Sequence, residues 1–192
     1  ALFYPSEPEV ENAPSPSHLP EMFGNVMLVN SKAWPVLEVE PRQYRFRIVN
    51  GCDSRFLQCF LTDPAGGNAL PATWKIGSDS GLLNTPVPVT QWVWGPGERV
   101  DMVFDFSDPS LWGRTFILRN KGKSPFPNGD PVDPQTTGQI MAFRVTRPLD
   151  TSEYPVTSLP EKPHTLRPVH GPIAPLVANA PARKLILFEG LD

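Results

Sequence analysis

Apolar and charged residues alternate from Tyr44 to Asn50: Tyr44, Phe46 and Ile48 fall on one side, Arg45 and Arg47 on the other. A period of two is the mark of a strand with one face buried. Similar reasoning predicts strands over 26–30, 36–39, 44–50, 56–62, 73–77, 87–94, 99–106, 115–120 and 139–146. In the run over 99–106, Val100, Met102, Phe104 and Phe106 share a face. Turn signals separate these runs: Asn30-Ser31-Lys32, Asn50-Gly51, the loop Asp63 to Asn68, and Gly95-Pro96-Gly97-Glu98. Only Pro109 to Trp112 suggests a helical turn. Roughly nine short strands with turns about every 8–12 residues define an all-β chain, a Greek-key sandwich or barrel.

The flanks have a different texture. Residues 1–22 carry five prolines and read as an extended arm. The sandwich occupies 23–148, and the proline-rich stretch 149–182 reads as an interdomain linker. Residues 183–192 look like the first strand of a following domain, since a lone terminal strand would leave an unpaired edge. That strand, and a first residue other than Met, lead us to expect a piece of a longer polypeptide. The 25 prolines agree with strands, turns and arms, because proline donates no backbone hydrogen bond.

A net charge of −3, with basic residues scattered, offers no electrostatic footprint for nucleic acid or an anionic membrane. No apolar run reaches the roughly 18 residues of a membrane span. Cys59 falls at an inward strand position and Cys52 in the turn before it; both read as free thiols, with a disulfide as the alternative. Gly77 and Gly81 flank a turn, where close packing or positive φ would require glycine. Asp79 is placed to close an Asx-turn, and Glu98 to pair with Arg99. Between 121 and 137 runs a long loop rich in Pro, Gly and Asp, of the kind that covers clefts or domain boundaries.

Several blocks, in order, resemble the middle cupredoxin-like domain of multicopper oxidases, in the branch of spore-coat laccases, bilirubin oxidases and phenoxazinone synthase. They are Leu2-Phe-Tyr-Pro-Ser, Leu28-Val-Asn-Ser-Lys-Ala-Trp-Pro, Tyr44-Arg-Phe-Arg-Ile-Val-Asn, Ile76-Gly-Ser-Asp-Ser-Gly-Leu-Leu, Gly95-Pro-Gly-Glu-Arg-Val-Asp and Ile140-Met-Ala-Phe-Arg-Val-Thr. The resemblance implies an enzyme that oxidises phenols or related aromatic compounds and reduces dioxygen to water. It implies copper held by flanking cupredoxin domains, with this domain as a spacer that carries no ligand and no catalytic residue. Members of the family are secreted, periplasmic or spore-coat associated.

Copper sites need imidazoles converging from rigid strands. The three histidines, His18, His164 and His170, are isolated in the proline-rich flanks. In some members a cysteine near the start of the domain bridges to one in the long loop. Phe23 stands at the first position here, and 121–127 has no cysteine, so loop mobility is expected to differ. Lys121, Lys123, Phe126 and Asn128 on that loop are the candidate lip for a small aromatic reducing substrate. The alternative is a non-enzymatic β-sandwich that serves as a structural or interaction module.

Overall fold

A computed structural model describes residues 21–66, 70–152, 155–156, 165–167 and 171–174. The expected strand at 183–192, His18, His164, His170 and nearly all of the 1–22 arm lie outside these residues. Eleven strands are present among the described residues: β1 (Leu28–Val29), β2 (Lys32–Ala33), β3 (Val36–Val39), β4 (Gln43–Val49), β5 (Leu57–Thr62), β6 (Ala72–Ser78), β7 (Gly81–Pro88), β8 (Gln91–Trp94), β9 (Arg99–Asp105), β10 (Thr115–Asn120) and β11 (Gln139–Val145). A 3₁₀ turn, Pro109–Leu111, sits where the sequence predicts a helical turn, capped by the Asp108 carboxylate accepting from Ser110 N–H.

The strands form two sheets of order β3-β11-β10-β5-β8 and β4-β9-β6-β7, with β1-β2 a small hairpin. Among the described residues all pairings are antiparallel except β11 with β3, and β3 and β4, β5 and β6, β7 and β8, and β8 and β9 fall on different sheets, so the chain crosses repeatedly between layers. The alternation read from the sequence sets the packing. Tyr44, Phe46 and Ile48 of β4 lie against a core that includes Val100, Met102 and Phe104 of β9, followed by Phe106. The opposite sheet supplies Cys59, Phe116, Leu118, Phe143 and Val145. Phe104 sits 5.2 Å from Phe46 and 5.5 Å from Phe143, both edge-on. Each fully buried apolar side chain of this size contributes about 1.5–3 kcal/mol, and the edge-on geometry adds a smaller increment.

Three details differ from the sequence expectations. The single strand over 87–94 is two strands on different sheets, β7 and β8. Val89 N–H donates to Thr73 C=O (3.0 Å) and Thr73 Oγ1 donates back to Val89 C=O, which pins the crossing point. Asp79 does not close on itself: its Oδ1 accepts from Arg99 N–H at 2.7 Å and meets the Arg99 guanidinium at 3.2 Å. The β6–β9 pairing, with Ser78 opposite Val100, places those two residues together. Glu98 is thereby freed from Arg99, and its Oε2 accepts from Gly95 N–H at 2.6 Å. The glycines behave as expected. Gly81 has φ +128°, and a Cβ on Gly77 would lie 3.0 Å from both Asp101 Cβ and Gly81 O.

Parts of the 149–182 stretch run along the sandwich. Asp150 N–H donates to Glu40 (3.2 Å) and Arg42 donates to Asp150 C=O (2.6 Å). Leu166 N–H donates to Asn84 C=O (2.8 Å) and Ile173 N–H to Asn84 Oδ1 (2.9 Å). The Leu166 and Ile173 contacts cover part of edge strand β7, as edge strands require.

Candidate functional site

The long loop after β10 is anchored at its base by a buried amide. Asn120, only 2% exposed, accepts from Gln58 N–H (2.9 Å) and Gly122 N–H (2.8 Å), and donates from Nδ2 to Thr137 C=O (3.1 Å). Its own N–H donates to Gly138 C=O (3.1 Å). One side chain therefore closes the two ends of the loop onto β5. Within the loop, Ser124 and Asp130 exchange backbone hydrogen bonds of 2.9 Å each, and Gly129 N–H donates to Pro125 C=O (2.6 Å). A Cβ on Gly129 would meet Pro125 N at 2.2 Å, so the turn closes only over glycine.

The four residues expected at the lip all lie on this loop but do different things. Lys121 is exposed and donates to Gln91 Oε1 (2.7 Å), with its ammonium 5.3 Å from the centre of the Phe60 ring. Phe126 lies half-buried on Phe56. Lys123 and Asn128 are exposed. None of the four lines the open groove of about 490 Å³ that lies between Leu61, Leu70, Thr73, Trp74, Val89 and Trp92.

Sequence reasoning missed the residue that joins this loop to the start of the domain. Arg55, in the segment leading into β5, is 5% exposed. Its Nε and Nη2 donate to Phe23 C=O (3.1 and 2.8 Å), Nη2 also to Gly24 C=O (2.9 Å), and Nη1 to Ser124 Oγ (2.5 Å). The guanidinium lies 5.7 Å from the Phe23 ring centre. The two segments that the family resemblance pairs through cysteines thus meet through Arg55. Nothing in the alternation of residues announces it, because a polar side chain between a turn and a strand normally reads as solvated.

The electrostatics around Arg55 follow from burial. Loss of solvent pulls the Arg55 pKa down from its ordinary value. Burial also pushes the Cys52 thiol up, against the opposing pull of the nearby Arg55 charge. Cys59, deeper in the core, is pushed up further by burial. Both cysteines are free thiols.

No protein-family model matches the sequence. Individual relatives do. The chain is 39% identical over 180 residues to a laccase of Bacillus stratosphericus, covering 92% of this chain and 31% of the laccase. It is 42% identical over 151 residues to a laccase of Bacillus subtilis, covering 78% of this chain and 27% of that protein. Among solved structures, the McoA multicopper oxidase of the hyperthermophile Aquifex aeolicus superposes with a TM-score of 0.57 at 32% identity, over 73% of this chain and 29% of that one. The chain belongs to the multicopper oxidase family, and its sandwich is the cupredoxin-like fold seen there. It spans about a third of the length of the curated relatives it matches.

Copper is the metal this family implies, and the described residues do not fit it. No three of their His, Cys, Asp and Glu side chains converge. Cys59 is enclosed by apolar neighbours that hold it as a neutral thiol, and Cys52 lies beside the Arg55 cation, which repels a metal ion. A Cu site needs thiolate and imidazole donors gathered at one point.

Proposed function

We propose that this chain is the middle, ligand-free domain of a longer laccase-like or bilirubin-oxidase-like oxidase. In the intact protein, flanking cupredoxin domains hold the copper. A small phenolic or related aromatic substrate gives up electrons one at a time, and dioxygen accepts them to form water. The metals supply that redox chemistry. This domain supplies position: two packed sheets around a dense aromatic core form a stiff spacer. The loop bearing Lys121, Lys123, Phe126 and Asn128 borders the reductant's approach.

The observation that carries this reading is the laccase similarity, which runs through nine-tenths of the chain yet accounts for less than a third of the laccase. Purification of the intact protein tests it. A blue absorption band, tightly held copper and copper-dependent oxidation of a phenolic dye are expected, with none of these in the 192-residue segment alone. Copper-dependent turnover by the segment, or an intact protein free of copper after metal loading, would contradict it.

A further inference from the structure

We propose that Arg55 is a positioning residue for the 121–130 loop. It couples the segment entering the domain at Phe23 and Gly24 to Ser124, and so sets where the loop sits. The way its charge is satisfied suits it to that role. Among the described residues, no carboxylate lies within ion-pair distance of this guanidinium. Its partners are neutral oxygens: two backbone carbonyls of one segment and one hydroxyl of another.

A buried charge held this way depends on every bond, since each lost partner leaves desolvated charge behind. The fork shape matters as much as the charge. Three nitrogens fan out, two toward Phe23 and Gly24 and one toward Ser124, which a lysine's single ammonium cannot reproduce. Beyond Ser124, its paired hydrogen bonds with Asp130 carry the constraint across the loop. Phe56, the next residue along the chain, stacks on Phe126 and holds the loop's other limb. Positions 55 and 56 therefore grip the loop together, one by hydrogen bonds and one by ring contact.

Loop position matters for the reaction only if the loop borders the reductant, so this part rests on the function proposed above. The experiment keeps the two apart. In the intact protein, amide hydrogen exchange is compared for wild type, Arg55→Lys, Ser124→Ala, the double variant, and Arg45→Gln as a control on the opposite sheet. Arg55→Lys is expected to speed exchange at Gly129 and Asp130 by about tenfold or more while 44–49 and 100–105 stay protected. Ser124→Ala acts in the same direction, and adding it to Arg55→Lys brings little more, because both cut the same link. Unchanged exchange at Gly129 and Asp130 in the folded variants, or effects of the two substitutions that simply add, would overturn the coupling. If Arg55→Lys does not fold, Ser124→Ala decides the matter alone.

For catalysis, KM for a bulky phenolic reductant is expected to rise about tenfold in Arg55→Lys, with kcat within twofold and the blue band unshifted. Faster loop exchange with an unmoved KM would overturn the positioning role in the reaction. An intact wild-type protein with no oxidase activity would instead remove the functional reading, and the exchange data would still decide the coupling.

Discussion

Phe126 lies flat on Phe56, with ring centroids 5.0 Å apart and planes 12° from parallel. The contact joins the long loop to the start of β5, and Phe56 in turn presses on Gly95 in the turn before β9. A Cβ at position 95 would come within 2.8 Å of the Phe56 ring.

Gly95→Ala therefore forces Phe56 off its seat and disturbs its stack with Phe126. Because Phe56 is 37% exposed, its ring can turn out toward solvent, so the cost stays below that of overpacking a closed core, at about 1 kcal/mol or less. A urea melt of the variant is expected to show that loss, together with altered ring-proton shifts of Phe126. A variant as stable as wild type, with Phe126 unmoved, would show that the three groups are not a packed stack.

Asn120 makes a sharper case, because all its polar atoms are buried and used. Asn120→Ala strands two backbone N–H groups and one carbonyl, at about 1–3 kcal/mol for each group that water cannot reach. The expected result is a loss of several kcal/mol. Asn120→Asp is expected to be destabilising as well, since its carboxylate oxygen faces Thr137 C=O where the amide nitrogen donated.

The Cys59 thiol links stability to alkaline pH. Burial raises its pKa in the folded protein, so the folded state keeps the proton while an unfolded chain loses it near pH 8.5. The unfolded state then binds fewer protons. Stability from this group is intact below that pH and falls above it, at about 1.4 kcal/mol per pH unit. Other groups titrate there too, so the quantity to measure is wild-type stability minus that of Cys59→Ala between pH 7 and 10. The difference is expected to be flat at first and then to decline. A difference that stays flat throughout would mean that Cys59 ionises as easily folded as unfolded.

Acid acts on the opposite side through Asp108. Hydrogen bonds from Ser110 hold its carboxyl below the usual carboxylate range. Its contribution is present above the unfolded-chain pKa near 4 and fades as pH falls through the lower, folded value. Asp108→Asn is expected to keep the cap on Ser110 and to flatten that acid dependence, as read from the local exchange rates of Ser110 and Leu111 below pH 4.

The sandwich was legible wherever one face is buried and the other wet. Tyr44, Phe46 and Ile48 against Arg45 and Arg47 showed it, as did Val100 to Phe106. Strand β7 was not, because Asn84-Thr85-Pro86-Val87-Pro88 is an edge strand that tolerates proline and carries no alternation. The Asn30-Ser31 turn was expected, but the strand after it is only two residues long, too short to have a period. The long loop was legible from its glycines and prolines, and Lys121, Lys123, Phe126 and Asn128 lie on it. What fixes that loop was hidden. Arg55 and Asn120 are buried polar residues whose partners lie far along the chain, and no local pattern marks a distant hydrogen bond.

The most direct measurement of the central idea is anomalous scattering at the copper edge from crystals of the intact protein. Copper peaks are predicted only outside residues 23–148, on flanking polypeptide. A strong peak bonded to side chains within that span would contradict the account.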